Sequence, residues 1–277
     1  MILSFAQGRL ASCQTLAAIG AISLKPSGEA ILRKMLTRNA DGFSVKFPCC
    51  EEPVQIEASD LHSHNFLDES CLPAIDGDIE QRCDAESKRF VSTVSAPRYK
   101  HASGDFIVRV LESAYAKYQK RLHAELFDNV SDERVVEVYN EPKFHYRADM
   151  SIHDLSGLEV ETLHASGTVD DSSRSFAEEF EVNPKLREQV LEKLELFSLA
   201  PEKYIATVCT FGMPHAHSYH DPGMKIGPWH DHILEKVDHA NEKVYVIDPY
   251  NSRITLIVHY ADFFRYFYLI CWAPLNV

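Results

Sequence analysis

Cys13 and Gln7 are the residues whose types and spacing point most directly to chemistry. The cysteine opens an almost wholly apolar run, Cys13 to Ile22, and the glutamine precedes it by six residues. A helix N-terminus presents unpaired N–H groups and a partial positive charge. Both stabilise a thiolate, the nucleophilic form of cysteine. The Gln7 carboxamide and the Cys13 backbone N–H are both hydrogen-bond donors, and two donors converging on one point would hold a developing oxyanion. The plainer account of Cys13 is a small buried residue at a helix start.

A thiol nucleophile needs an imidazole to take its proton and a third group to orient that imidazole. The C-terminal part of the chain offers both. His230 and His232 lie on one expected strand, Trp229 to Val237, and Asp248 ends its expected partner, Lys243 to Asp248, across the turn Asp238 to Glu242. Alternation puts both histidines on one strand face, about 6.6 Å apart, so parity does not choose between them. A turn symmetric about Ala240 sets His232 opposite Asp248, whereas a longer or bulged turn moves Asp248 towards His230. His215, His217 and His220, together with His230 and His232, raise a metal site as an alternative. No cysteine or carboxylate completes a shell around them, so no metal is expected and the first three are read as loop histidines.

These side chains must be positioned by the elements around them. Cys13 to Leu24 reads as a helix buried on all sides. Pro26-Ser27-Gly28-Glu29 opens a second, continued by Ile31, Leu32, Met35 and Leu36 at helical spacing. Phe43 to Phe47 alternates as a strand, with Val54-Gln-Ile56 as its hairpin partner. Residues 58 to 104 read as long loops. Ile107, Val110, Leu111, Ala114, Tyr115 and Tyr118 share one face of a helix over 105–126. Val135 to Val138 is a candidate strand, and Gly157 marks a turn. Asn183-Pro184 starts a helix to about Phe197, with proline at the first helical position. Tyr204 to Phe211 reads as a buried strand, Arg253 to Val258 as another, and Asp262 to Phe267 as a short helix whose aromatics belong to the core. Helices first and an antiparallel sheet last give an α+β fold, with a site expected between two lobes, 1–150 and 151–277.

The chain has 277 residues, room for one large domain or two modest lobes. Its formal net charge of −13 argues against nucleic acid or an anionic membrane as the main partner. Seven cysteines, an odd number without zinc-type CxxC spacing, fit a reduced, cytoplasmic setting better than a disulfide framework. There is no run of 18 apolar residues, and Met1 to Phe5 is too short for a signal peptide. With Gln7 so close to the start, the natural chain has room to extend upstream.

Several short motifs resemble the calpain catalytic core of the papain-like cysteine protease superfamily. Gln7, Cys13 and Leu16-Ala-Ala-Ile19 resemble its nucleophile helix, and Asp41-Gly-Phe-Ser-Val-Lys-Phe47 the strand that follows. Val110-Leu-Glu-Ser-Ala-Tyr-Ala-Lys117 is similar to a calpain helix segment, and Asp154-Leu-Ser-Gly157 to its Leu-Thr-Gly turn. His230 and Asp248-Pro-Tyr-Asn251 resemble the His strand and the Asn-Pro-Trp motif, and Asp262-Phe-Phe-Arg-Tyr-Phe267 the final helix. The resemblance implies a papain-like fold, with a helical Cys-bearing lobe packed on an antiparallel His/Asp-bearing sheet. It also implies a cysteine endopeptidase acting on protein substrates through Cys13, His230, Asp248 and Gln7, with His232 as the rival base. The family register favours His230.

Two departures stand out: Asp248 replaces the family's asparagine and Tyr250 its tryptophan. The sequence requires no cofactor; calcium is implied by the resemblance alone, and the family's acidic calcium loops are not located. Papain-fold glutamine deamidases, some of them effectors delivered into host cells, use Cys-His-Asp and often Asp-Pro. They give the rival activity, protein glutamine deamidation or a transglutaminase-like reaction. A non-catalytic papain-fold interaction domain is the third expectation.

Overall fold

The computed structural model describes residues 3, 5–7, 12–61, 103–124, 148–164, 184–210, 230–249, 252–253 and 255–275. The expected strand at 135–138, the histidines 215, 217 and 220, and residues Trp229, Tyr250, Cys71 and Cys83 lie outside them. The fold is α+β, and the three sheets among the described residues are wholly antiparallel.

A two-residue strand, β1 (Phe5–Ala6), precedes helix α1 (Cys13–Ser23). Every residue of α1 is buried, as its apolar composition demands. Helix α2 (Pro26–Lys34) starts with proline in its first turn. It stops earlier than the spacing of Met35 and Leu36 suggests. Leu36 instead opens strand β2 (Leu36–Arg38), which pairs with β3 (Gly42–Val45); β3 in turn pairs with β4 (Val54–Glu57). The β4 alternation buries Val54 and Ile56 and exposes Gln55 and Glu57. A short helix, α3 (Ala58–Leu61), and a strand, β5 (Ser103–Gly104), lie where loops are expected; β5 pairs with β1. Helix α4 (Phe106–Leu122) follows, then α5 (Ala148–Ser156), which ends at Gly157 with φ +72°, the turn expected there.

Among the described residues the main sheet has six strands in the order β10-β9-β8-β7-β11-β6. They are β6 (Glu161–His164), β7 (Tyr204–Thr210), β8 (Asp231–Asp238), β9 (Lys243–Ile247), β10 (Thr255–His259) and β11 (Phe267–Pro274). Helix α6 (Pro184–Leu199) precedes β7, and α7 (Tyr260–Tyr266) joins β10 to β11. The final aromatic run therefore divides differently from expectation. The helix begins at Tyr260, and Phe267 opens a long strand held between β7 and β6.

The sheet separates two cores. Leu16, Ile19 and Ile22 of α1, with Leu111 and Tyr115 of α4 and Ile152 of α5, pack on Ile205, Ile233 and Cys271 of one sheet face. Val190, Leu194 and Phe197 of α6, with Phe263 of α7, pack on Val208, Leu234, Ile270 and Trp272 of the other. Alternation along β7, β8 and β11 sends successive side chains to opposite cores. Gly20 lets α1 lie close on the sheet: a Cβ there would stand 2.2 Å from Ile233 Cδ1 and 3.1 Å from Phe5 Cζ. The Cys13 helix is thereby held against the strand that follows His230. No helix among the described residues is long and apolar enough to cross a membrane.

Candidate active site

The site forms where the N-terminus of α1 meets the end of the β8–β9 hairpin. The hairpin's register decides which side chains can meet. Asp238 pairs with Lys243 and Val237 with Val244, around a turn in which Glu242 takes the left-handed conformation. The turn is therefore not symmetric about Ala240, and Val237 does not face Lys243. Carried unchanged down the ladder, that register would set Ile233 opposite Asp248. A bulge between Leu234 and Lys236 adds one residue to β8, and Ile233 pairs with Ile247 instead. Directly opposite residues share a sheet face. The bulge thus brings Asp248 to the His232 level, on the histidine face, with His230 as its diagonal neighbour.

The diagonal contact is the one that forms. His230 Nε2 lies 2.7 Å from Asp248 Oδ1. A carboxylate accepts, so Nε2–H donates, and Cys13 is close enough to the same ring to favour its charged form. All three residues are buried. Burial pulls the His230 imidazole towards its neutral form. The charge and hydrogen bond of Asp248, with Cys13 adding to them, more than offset this, and the net displacement is well above the ordinary imidazole value.

His232, the rival base, has a different environment. It is fully buried, and its Nδ1 lies 3.2 Å from the His230 carbonyl. A carbonyl only accepts, so Nδ1 carries the proton and Nε2 the lone pair. The ring stands edge-on to His230, with centroids 4.8 Å apart, and edge-on to Phe267. Burial first, then the charge of His230, hold its pKa down to about 4. It is a neutral neighbour at physiological pH. Asp231, whose pairing partner is Cys209 of β7, is pushed up to about 6 by burial, against the charge of His230 and a hydrogen bond from Cys209.

Gln7 is buried and tied to the same hairpin end. Its backbone N–H donates to Pro249 O at 2.9 Å, while Phe5 N–H donates to Ser252 Oγ and Ser252 N–H to Phe5 O. Sequence reasoning missed this pairing of residues 5–7 with 249–252, because a strand of two residues has no periodicity to detect. At the start of α1, Ser12 gives no side-chain cap to the helix. Its hydroxyl donates instead to Glu112 Oε1 of α4 at 2.5 Å. The first N–H groups of α1, at Cys13 and after, are therefore not taken up by the usual serine cap. Cys13 Sγ also lies 3.6 Å from Gln14 Oε1.

Chemically, this set can transfer a proton from the thiol to His230 and stabilise the resulting cation through Asp248. N–H donors stand at the mouth of α1. His230, His232 and Asp248 also form a group of metal-ligating type, with one donor atom of each within 4.8 Å of the others. The carboxylate that the sequence lacked for a metal shell is thus Asp248. Two imidazoles do not suit calcium, which takes oxygen ligands. No protein-family model matches this sequence, and no curated protein matches it.

Proposed function

We propose that the protein is a thiol hydrolase of papain-like architecture that acts on protein substrates through Cys13, His230 and Asp248. The observation that carries this reading is the buried contact of His230 with Asp248 at 2.7 Å, with Cys13 also acting on the His230 imidazole. The His230 imidazole takes the Cys13 proton, and the thiolate attacks a substrate carbonyl. Asp248 stabilises the imidazolium and keeps Nδ1 directed at sulfur. The Gln7 carboxamide and the N–H of Cys13 hold the tetrahedral oxyanion. Imidazolium then protonates the leaving nitrogen, and water releases the acyl group by the reverse sequence.

Calpain-like endopeptidase activity is the reading the motifs favour. Glutamine deamidation uses the same acyl transfer with ammonia as the leaving group. The carboxylate at position 248, followed by Pro249, specifically favours it. Intact mass spectrometry of candidate protein substrates tests both. Cleavage splits the substrate, and deamidation adds about 1 Da because NH is exchanged for O. Either change must vanish with Cys13→Ala. Substrates that bind but keep their mass would favour a non-catalytic interaction domain.

A further inference from the structure

We propose that His230, His232 and Asp248 form a binding site for a zinc-class divalent cation, and that its occupation switches the thiol chemistry off. The switching rests on the thiol-hydrolase reading above; the binding site does not. One donor atom from each of the three buried residues lies within 4.8 Å of the others. His232 is the residue that the thiol mechanism leaves without a task. It is fully buried, yet its Nε2 has no hydrogen-bond partner among the described residues. Buried polar atoms are seldom left so, because each has given up water without replacement.

The tautomer is the one a metal needs. Nδ1–H is held by the His230 carbonyl at 3.2 Å, which fixes the ring and turns the basic Nε2 outward from that bond. A backbone carbonyl on the non-ligating nitrogen is the common support of a metal-binding histidine. Two imidazoles and one carboxylate are the donor set of zinc, whereas calcium and magnesium take oxygen. Donor atoms around tetrahedral zinc stand about 3.3 Å apart. His230 Nε2 and Asp248 Oδ1 approach to 2.7 Å, and the His232 donor atom lies within 4.8 Å of both.

Protons balance simply. The two rings bind as neutral imidazoles and Asp248 as carboxylate: His230 gives up the proton on Nε2 and keeps one on Nδ1, so a neutral ring only changes tautomer and an imidazolium releases its second proton to solvent. A ring carrying the cation is no longer a base for Cys13, and Asp248 no longer orients it.

Titration calorimetry with ZnCl2 tests the site in the full chain carrying Cys13→Ala, so that metal capture by the nucleophile is not counted. It is compared with the same chain also carrying His232→Gln or Asp248→Asn. The expected result is one zinc event that weakens by about tenfold or more in both. Equal affinity and stoichiometry in all three proteins overturns the proposal. Circular dichroism checks folding, and if one double variant is unfolded the other decides. In the native protein, zinc slows iodoacetamide labelling of Cys13 and EDTA restores it; labelling that zinc leaves unchanged contradicts the switch. A metal-free native protein whose Cys13 fails to label counts against the thiol reading and leaves the calorimetry unaffected.

Discussion

The backbone N–H of Gln7 donates to the carbonyl of Pro249 at 2.9 Å, one residue beyond Asp248. The proposed oxyanion donor and the proposed orienting acid are therefore held by one backbone contact. This contact survives side-chain substitution, so Gln7→Ala isolates the carboxamide. Turnover falls by about 10²–10³ while substrate affinity changes little. Steady-state kinetics check this, and a loss confined to KM removes Gln7 from the oxyanion role.

Asp248 lowers the energy of the His230 cation by charge and by a hydrogen bond. Asp248→Asn keeps the hydrogen-bond geometry and loses the charge; it retains measurable activity. The pH below which activity is lost changes with the His230 titration that the charge controls. Asp248→Ala loses both interactions and most of the activity. Equal pH–rate profiles in all three proteins would take Asp248 out of the site.

Gly20 sets the distance between the Cys13 helix and the sheet. Gly20→Ala puts a methyl group into Ile233, which costs about 1–3 kcal/mol unless the isoleucine yields. Ile233→Val removes the Cδ1 atom that the new Cβ would meet at 2.2 Å. The double variant recovers stability and activity relative to Gly20→Ala alone. Strictly additive losses in denaturant unfolding contradict the close approach.

His232 couples the site to acid stability. Its folded pKa of about 4 lies below the ordinary value of 6.5, so the unfolded chain binds its proton first. Stability from this residue is present above pH 6.5 and is lost as pH falls towards 4. The difference reaches about 3 kcal/mol. Asp231 acts in the opposite sense: its raised pKa of about 6 favours the fold at low pH and is lost as pH rises from 4 through 6. Unfolding curves of the native protein and His232→Gln between pH 6.5 and 4 measure the first effect. The variant loses less stability on acidification; a parallel pair of curves contradicts a buried neutral His232.

The elements that carry the site were largely legible in the sequence. Cys13 to Ser23 has no polar stripe, and α1 is buried on every side as that pattern requires. Asp238 and Asn241 mark a hairpin turn, and Asn241 N–H does bond the Asp238 carboxylate. The α+β order follows from the same patterns. The spacing places Phe267 at the end of a short helix, whereas it opens the strand Phe267–Pro274. The strand there sends alternate side chains into two apolar cores, which erases the period-2 signal. The approach of Asp248 to His230 turned on a single extra residue in β8. A bulge leaves no compositional mark, so pairing geometry alone could not choose between His230 and His232.

The most direct measurement is the rate of iodoacetamide labelling at each cysteine at neutral pH, read by peptide mass mapping. Cys13 is 9% exposed, whereas Cys49 is exposed and has its thiol pushed up by burial and by Asp154. Access alone favours Cys49; activation by His230 and the α1 N-terminus favours Cys13. Cys13 is expected to label faster than Cys49 and to lose this lead in His230→Ala. A Cys13 that labels no faster than Cys49, or equally fast with and without His230, would contradict it.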